Sequence, residues 1–337
     1  MRNAWPAQPG RYAITLALML FFIVGCSRED AEIESKGDDS ELRIVSFMPS
    51  ATRIVVDLGL SDRIVGVAEH DAAAPAINAD GDPMPIVGHF MDVDVERLMS
   101  LRPTHVIFPV TSEDATPSAL NRYVASGGRL VMLAYPNTLD EVVVSVKEIG
   151  KSLGQANRGF ALSDRLAMSF RKAEQFQAVV EHIKSQFNNL GGGGAIPGDG
   201  SVLLAFGVDP VVASGPGSIN HELLVLLGYE NAVGDAAVSA VTLDREALID
   251  VNPSVIVLLL PGASTADADD KIAWFDALPI AAVKDHRVHA LTDPQVLLPG
   301  TNLPETLAVL QEVLRATEAG SEVSLPSWAS EDAAVER

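Results

Sequence analysis

The chain has 337 residues with 24 basic and 45 acidic side chains, a formal net charge of −21, and a hydrophobic content of 47%. That length leaves room for two lobes, each with its own core, and needs no metal or disulfide to hold them. The acidic surface repels phosphate backbones and excludes nucleic acid as a partner, and a single cysteine, Cys26, excludes an intramolecular disulfide.

Arg2 and Arg11 precede the apolar run Tyr12 to Val24, so residues 1–25 read as an export signal. The run is shorter than the roughly 20 residues that span a bilayer. Ile23-Val24-Gly25-Cys26 is similar to the lipobox of bacterial lipoproteins, where cleavage precedes the cysteine and its thiol is acylated. The resemblance implies attachment to the cell envelope through lipid on Cys26, with the protein facing outward from the cytoplasm. Residues 26–41, with the run REDAEIESKGDDSE, have little to bury and read as an acidic tether.

From Leu42 onward apolar runs alternate with amphipathic stretches, the pattern of an α/β protein. RIVSF (Arg43 to Phe47) predicts a strand, and Pro49 opens a helix that Gly59 closes. Further strands are expected at Arg63 to Val67, Val106 to Val110 and Leu130 to Ala134. With the helical stretch from Leu139 to Gly154 these make an N-terminal lobe over 42–154. Residues 155–190 contain no proline and carry an apolar stripe of Leu162, Leu166, Phe170 and Ala173, which predicts one long helix joining the lobes. Gly191 to Gly200 lacks the Lys-Ser/Thr ending of a phosphate loop and reads as a connector. A C-terminal lobe is expected over 200–317, with strands at Ser201 to Phe206, Val255 to Leu260 and Arg287 to Leu291. Helices are expected near Asn220 to Leu227 and Thr301 to Ala316, and residues 318–337 read as a disordered tail.

An internal repeat marks the two lobes as related. Asp94 to Ile107 (DVERLMSLRPTHVI) and Asp244 to Val257 (DREALIDVNPSVIV) match at a constant offset of 150 residues. Each reads as a short helix, a turn closed by Pro103 or Pro253, and a buried strand. Leu98 and Leu101, then Leu248 and Val251, supply the apolar face. Packing does not require the acid two residues before the first leucine, Glu96 and Glu246. Matching exposed acids point to a partner that engages both lobes.

The string Arg43 to Val67, the repeat, and the segments Phe206 to Asn220 and Leu223 to Asp235 together resemble the substrate-binding proteins of ABC importers for vitamin B12, iron siderophores and haem. The last two segments are most similar to the vitamin B12-binding branch. The resemblance runs from Leu42 to Ala316 and implies two Rossmann-like α/β lobes joined by a single long backbone helix, with a ligand cleft between them. It also implies a monomer that captures a corrinoid or a related metal chelate, uses no cofactor, and delivers the ligand to a permease dimer with its cytoplasmic ATPase. The matching positions make Glu96 and Glu246 the acids that dock onto permease arginines. They place His70, Phe90, Phe108, Phe206 and Asp293 at the ligand, and His89, next to Phe90, is a further ligand-binding candidate. The chain departs from the family at Arg53, where glutamate is common, and at His70 to Pro75, which is poor in aromatics.

Two rival chemistries follow from the residues alone. Glu69, His70, Asp71 and His89 can hold a divalent metal if their loops converge, since imidazole and carboxylate suit zinc or iron. His105, His182 and His221 are expected on element surfaces or in satisfied polar sites. No Gly-x-Ser-x-Gly elbow, His-Glu-x-x-His pair or cysteine nucleophile occurs beyond residue 41, so an enzyme is not expected.

Overall fold

Short apolar runs in this chain become strands buried on both faces, as parallel sheets covered by helices require. The structure, a computed structural model, describes residues 42–76, 78, 80–110, 118–189, 200–234 and 238–319. The signal, Cys26, the tether, the connector before Gly200 and the tail beyond residue 319 lie outside the described residues.

The first sheet contains β1 (Ile44–Ser46), β2 (Ile64–Val67), β5 (His105–Pro109) and β6 (Arg129–Leu133), all parallel, in the order β2-β1-β5-β6. Ile44 lies beside both Ile64 and His105, and His105 lies beside Arg129. Helices α1 (Pro49–Asp57) and α4 (Leu139–Ser152) belong with one face, and α2 (Val95–Ser100) and α3 (Ser118–Ala125) with the other. Pro49 sits in the first turn of α1, where its missing N–H costs nothing. A small hairpin, β3 (Gly88–His89) with β4 (Asp92–Val93), follows the first two strands and was not anticipated.

The second sheet has β7 (Ser201–Ala205), β8 (Val211–Ser214), β9 (Glu230–Asn231), β10 (Ala240–Leu243), β11 (Val255–Leu259) and β12 (Val288–Leu291). Its order is β10-β8-β7-β11-β12, with β9 beside β7. Strands β7, β11 and β12 are parallel, whereas β8 and β10 run antiparallel to their neighbours. Helices α6 (Ile219–Leu227), α7 (Arg245–Val251), α8 (Thr265–Ala273), α9 (Ala281–Lys284) and α10 (Leu303–Ala319) complete this lobe. The antiparallel half has no counterpart in the first sheet, so the repeat covers only part of each lobe.

Between the sheets runs α5 (Ala156–Asn189), 34 residues and so about 50 Å long. Leu166 and Phe170 are buried on it, with Leu162 and Ala173 packed alongside. Two glycines shape the corner into it. A Cβ on Gly150 would fall 2.6 Å from the Cα of Gly159, so the two helices touch backbone to backbone.

Two lobes with separate cores are not what forms. One apolar cluster runs from Ile44 and Val142 through Leu166 and Phe170 to Leu204, Leu223 and Leu310. The outer sheet faces have their own smaller clusters. The reason is geometric: α5 packs against α4 of the first lobe and against α6 and α10 of the second, so its buried Leu166 and Phe170 join one interior. A shared interior resists large opening of the lobes, because any hinge motion must expose part of it.

His105 corrects a further expectation. It lies inside β5, only 5% exposed, with Nδ1 2.9 Å from Thr104 Oγ1. Its Nε2 has no hydrogen-bond partner among the described residues. Burial, and then the nearby Arg129 charge, pull its pKa below the ordinary imidazole value. His286 precedes β12 in a left-handed turn, φ 55°, so it does not share a strand with His289.

Candidate ligand cleft

Ligands in open α/β sheets bind outside the carboxyl ends of the strands. Here those ends lead into Ala68–Ala74 after β2, Ala134–Thr138 after β6, Phe206–Pro210 after β7 and Thr292–Gln295 after β12. Hydrogen bonds between lobes bring several of these segments together. Arg53 Nη1 donates to Gln295 Oε1 at 2.7 Å, and the Gln295 amide donates to the Ala72 carbonyl at 3.3 Å. Asp57, which also takes Arg53 Nε at 2.9 Å, accepts the Thr301 hydroxyl. Elsewhere the Glu222 carboxylate accepts the Leu139 amide at 2.6 Å, adding an acid from the second lobe to the N-terminus of α4. A cavity of about 770 Å³ opens there, walled by Thr138, Leu139, Phe170, His221, Glu222 and Val225.

The sequence-derived site residues fall into three groups. His70 and His89 are exposed, and Phe90 and Phe206 are half-buried. His70 has φ 61° and stands 3.8 Å from Glu69. His89 lies in the hairpin with its ring centroid 4.2 Å from Phe90, and its Nδ1 accepts the Met91 amide at 3.3 Å. Phe206 sits just past β7, where its amide bonds to the Val212 carbonyl at 2.8 Å. Asp293 is half-buried, and its Oδ1 accepts the Gln295 amide at 2.7 Å, which closes a turn and holds Gln295 in place. Glu96 and Glu246 are exposed in the first turns of α2 and α7.

Phe108 is corrected. It is 1% exposed, its ring lies 5.1 Å from Phe47, and it packs in the cluster of Leu98, Leu120 and Tyr123. Strand alternation turns it toward α2 and α3 and away from the strand end, so it is core. The convergence of Glu69, His70, Asp71 and His89 on a metal is likewise not found. Among the described residues no group of three or more His, Cys, Asp or Glu side chains is placed to hold an ion.

Asp71, read from the sequence only as a metal-ligand candidate, and Tyr135 and Gln295, not singled out there, now stand out. Asp71 accepts the Thr52 hydroxyl at 2.5 Å and the Ala73 amide at 3.0 Å. Burial raises its pKa against the opposing pull of these hydrogen bonds. Tyr135, 40% exposed just past β6, has its pKa raised by burial and by the Asp71 charge. Its place right after an apolar run was the available signal. Arg53 was marked only as a departure from the family, and its pairing with Gln295, 242 residues away, left no local signal.

Clefts of this kind hold ligands with apolar walls and a few fixed polar groups. The sequence profile described as "Periplasmic binding protein" matches residues 44–294. An uncharacterized ABC transporter substrate-binding lipoprotein of Bacillus subtilis, YvrC, is 27% identical over 271 residues, 80% of this chain and 79% of the relative. A vitamin B12-binding protein of Yersinia pestis is 22% identical over 270 residues, 79% of this chain and 86% of the relative. Among solved structures, a periplasmic haem-binding protein of Pseudomonas aeruginosa aligns with TM-score 0.64 and 24% identity over 84% of this chain and 95% of that one. The vitamin B12-binding protein BtuF of Vibrio cholerae aligns with TM-score 0.60 and 19% identity, covering 82% and 97%. With the match spanning β1 to the turn after β12, the chain belongs to the periplasmic binding protein family and is a binding protein, not an enzyme.

Proposed function

We propose that the protein is the lipid-anchored, substrate-binding component of an ABC importer, and that its ligand is a corrinoid or another bulky metal chelate. The observation that carries the importer role is the pair of equivalent helices α2 and α7. Each is capped by an aspartate, buries a leucine at 0% exposure, and exposes a glutamate in its first turn. Glu96 and Glu246 present one charge from each lobe, which suits a two-fold permease carrying complementary arginines. Cys26 supplies the lipid attachment, and the relative YvrC is named a lipoprotein.

For the ligand, Phe90, Phe206 and Tyr135 supply apolar and aromatic surface. Asp71, Asp293 and Gln295 supply polar groups held in place by hydrogen bonds. The vitamin B12-binding relatives favour a corrinoid. The exposed imidazoles of His70 and His89 favour haem as the second reading, since histidine is an axial ligand of haem iron. Calorimetric titration of the chain from Ser27 onward with cobalamin, haem, a ferric siderophore and Zn²⁺ tests both. Tight one-to-one binding of one chelate is expected, with no response to Zn²⁺. Binding of Zn²⁺ alone would overturn the chelate reading.

A further inference from the structure

Two seams join the lobes, and they differ in chemistry. One is the apolar interior around α5, where any opening exposes apolar surface. The other is polar and runs between α1 of the first lobe and residues 293–302 of the second. Gln295 is its centre. The Gln295 Oε1 accepts Arg53 Nη1 at 2.7 Å, and its Nε2 donates to the Ala72 carbonyl at 3.3 Å. Within its own lobe the Gln295 backbone amide donates to Asp293 Oδ1 at 2.7 Å, and its carbonyl accepts Asn302 Nδ2 at 2.9 Å. The two side-chain polar atoms therefore engage the first lobe, while the two backbone polar atoms are fixed by the second. Arg53 is held in turn. Its Nε donates to Asp57 Oδ2 at 2.9 Å, one turn along α1, and the same oxygen accepts the Thr301 hydroxyl. Gly300 lets the second-lobe turn lie close to α1: a Cβ there would fall 3.5 Å from the Ser50 carbonyl oxygen and 3.8 Å from Arg53 Cγ.

This polar seam borders the cleft. Thr52, beside Arg53, donates its hydroxyl to Asp71, the residue before Ala72, and Asp293 and Gln295 belong to the segment after β12. Segments from the carboxyl ends of β2 and β12 thus meet through one glutamine side chain. Of the two bonds that side chain makes, the one from the guanidinium is shorter and charge-assisted, and so the stronger. Thr301 and Asn302 are buried, which keeps the second-lobe turn stiff. The Arg53 and Asp57 side chains are 23% and 25% exposed, so water can replace their partners at small net cost, and the polar seam opens before the apolar one. Position 53 is also where the chain departs from the family it resembles. The glutamate common there would face the Asp57 carboxylate one turn away instead of pairing with it.

We infer that Arg53 is a positioning residue of the cleft: acting through Gln295, it sets the separation of the segments after β2 and β12, and with it the rate at which a bound ligand leaves. The inference deepens the proposed function and rests on its reading of this cleft as the ligand site, whichever chelate is bound. With Arg53 in place, Gln295 is held against Ala72, and the cleft keeps one width before and after a ligand enters. Without it, Gln295 retains one bond across the seam, and the second lobe can tilt away from α1 about α5.

Paired spin labels test the positioning without any ligand. Ser100→Cys and Asp250→Cys place them at exposed, equivalent positions of α2 and α7. The chain from Ser27 onward lacks the natural cysteine and contains the whole compact unit Asp38–Arg337. Arg53→Ala should lengthen and broaden the distance distribution between the labels. Gln295→Ala should do the same, and it serves alone if the first variant does not fold. The double variant should add little to Gln295→Ala, because the two side chains share one bond across the seam. Arg63→Gln, which breaks only the 3.5 Å pair with Asp62 inside the first lobe, should leave the distribution unchanged. Release of bound cobalamin from the Arg53→Ala chain should quicken about fivefold, the effect of one net hydrogen bond. An unchanged distribution in both Arg53→Ala and Gln295→Ala, or equal broadening in Arg63→Gln, would overturn the inference. If the parent chain binds no chelate, the ligand reading fails, and the label distances still decide the role of Arg53.

Discussion

The segments Asp94–Pro109 and Asp244–Leu259 are the same device built twice, and their differences show which residues the device itself demands. Asp94 accepts the Arg97 amide at 2.9 Å and Asp244 the Ala247 amide at 2.8 Å. Leu98 and Leu248 are both 0% exposed. Arg102 and Asn252 both turn the chain at φ 46° before Pro103 and Pro253. Beyond that point the identities part: His105 corresponds to Val255 at the equivalent strand position, and Phe108 to Leu258. Caps, the buried leucine and the turn are dictated by the helix-to-strand frame, whereas strand interiors answer to each lobe's own packing. Glu96 and Glu246 are also shared, each exposed in the first turn of its helix, where neither packing nor the cap requires it. That sharing is what motivates the proposed docking role.

Several substitutions break or sharpen this comparison. Reversing both acids, Glu96→Lys with Glu246→Lys, should cut ligand uptake on the order of a hundredfold, because opposed like charges cost several kcal/mol. Cobalamin affinity measured on the same variant should not move. A normal uptake rate would remove the docking role and reduce the shared acids to helix-start charges. Leu98→Ala and Leu248→Ala should each cost about 2 to 5 kcal/mol in denaturant unfolding. A much smaller loss in one of them would show that the frames are not equivalent.

Asp94→Ala and Asp244→Ala should each cost about 1 kcal/mol, since each removes one cap. His105→Val, which installs the second lobe's residue in the first, should alter the pH dependence. The folded state holds this imidazole neutral with a depressed pKa, so the unfolded chain binds the proton more readily. Stability is therefore complete above roughly pH 6.5 and falls as pH drops below it. The variant should lose less stability than the parent between about pH 6.5 and 5, read from urea midpoints. Arg102→Asn, copying Asn252, should gain up to about 1 kcal/mol by easing the left-handed turn. No gain would mean that the Arg102 side chain compensates for its backbone.

How the elements read from the chain follows the same division. The strands around Ile44, Ile64, Val106 and Val257, the stripe of Leu166 and Phe170, and the repeat with its two acids were legible, because each is a local pattern of period or spacing. The hairpin carrying His89 and Phe90 was missed, since its two-residue strands are too short to show alternation. So was the antiparallel half of the second sheet, where β8 and β10 depend on pairing with β7. Phe108 was misplaced for a related reason: a phenylalanine near a strand end reads alike whether it points into the core or out of it.

What the sequence by itself determined is therefore the longer helices, the buried parallel strands and the repeat with Glu96 and Glu246, because each shows as a local pattern of period or spacing. Only the tertiary structure decided that one apolar interior joins the lobes through α5. It alone decided that Arg53 reaches Gln295 and that Asp71 lies beside Thr52 and Tyr135. Those facts rest on contacts between residues far apart in the chain, which exist only once the sheets, their register and the long helix bring them together.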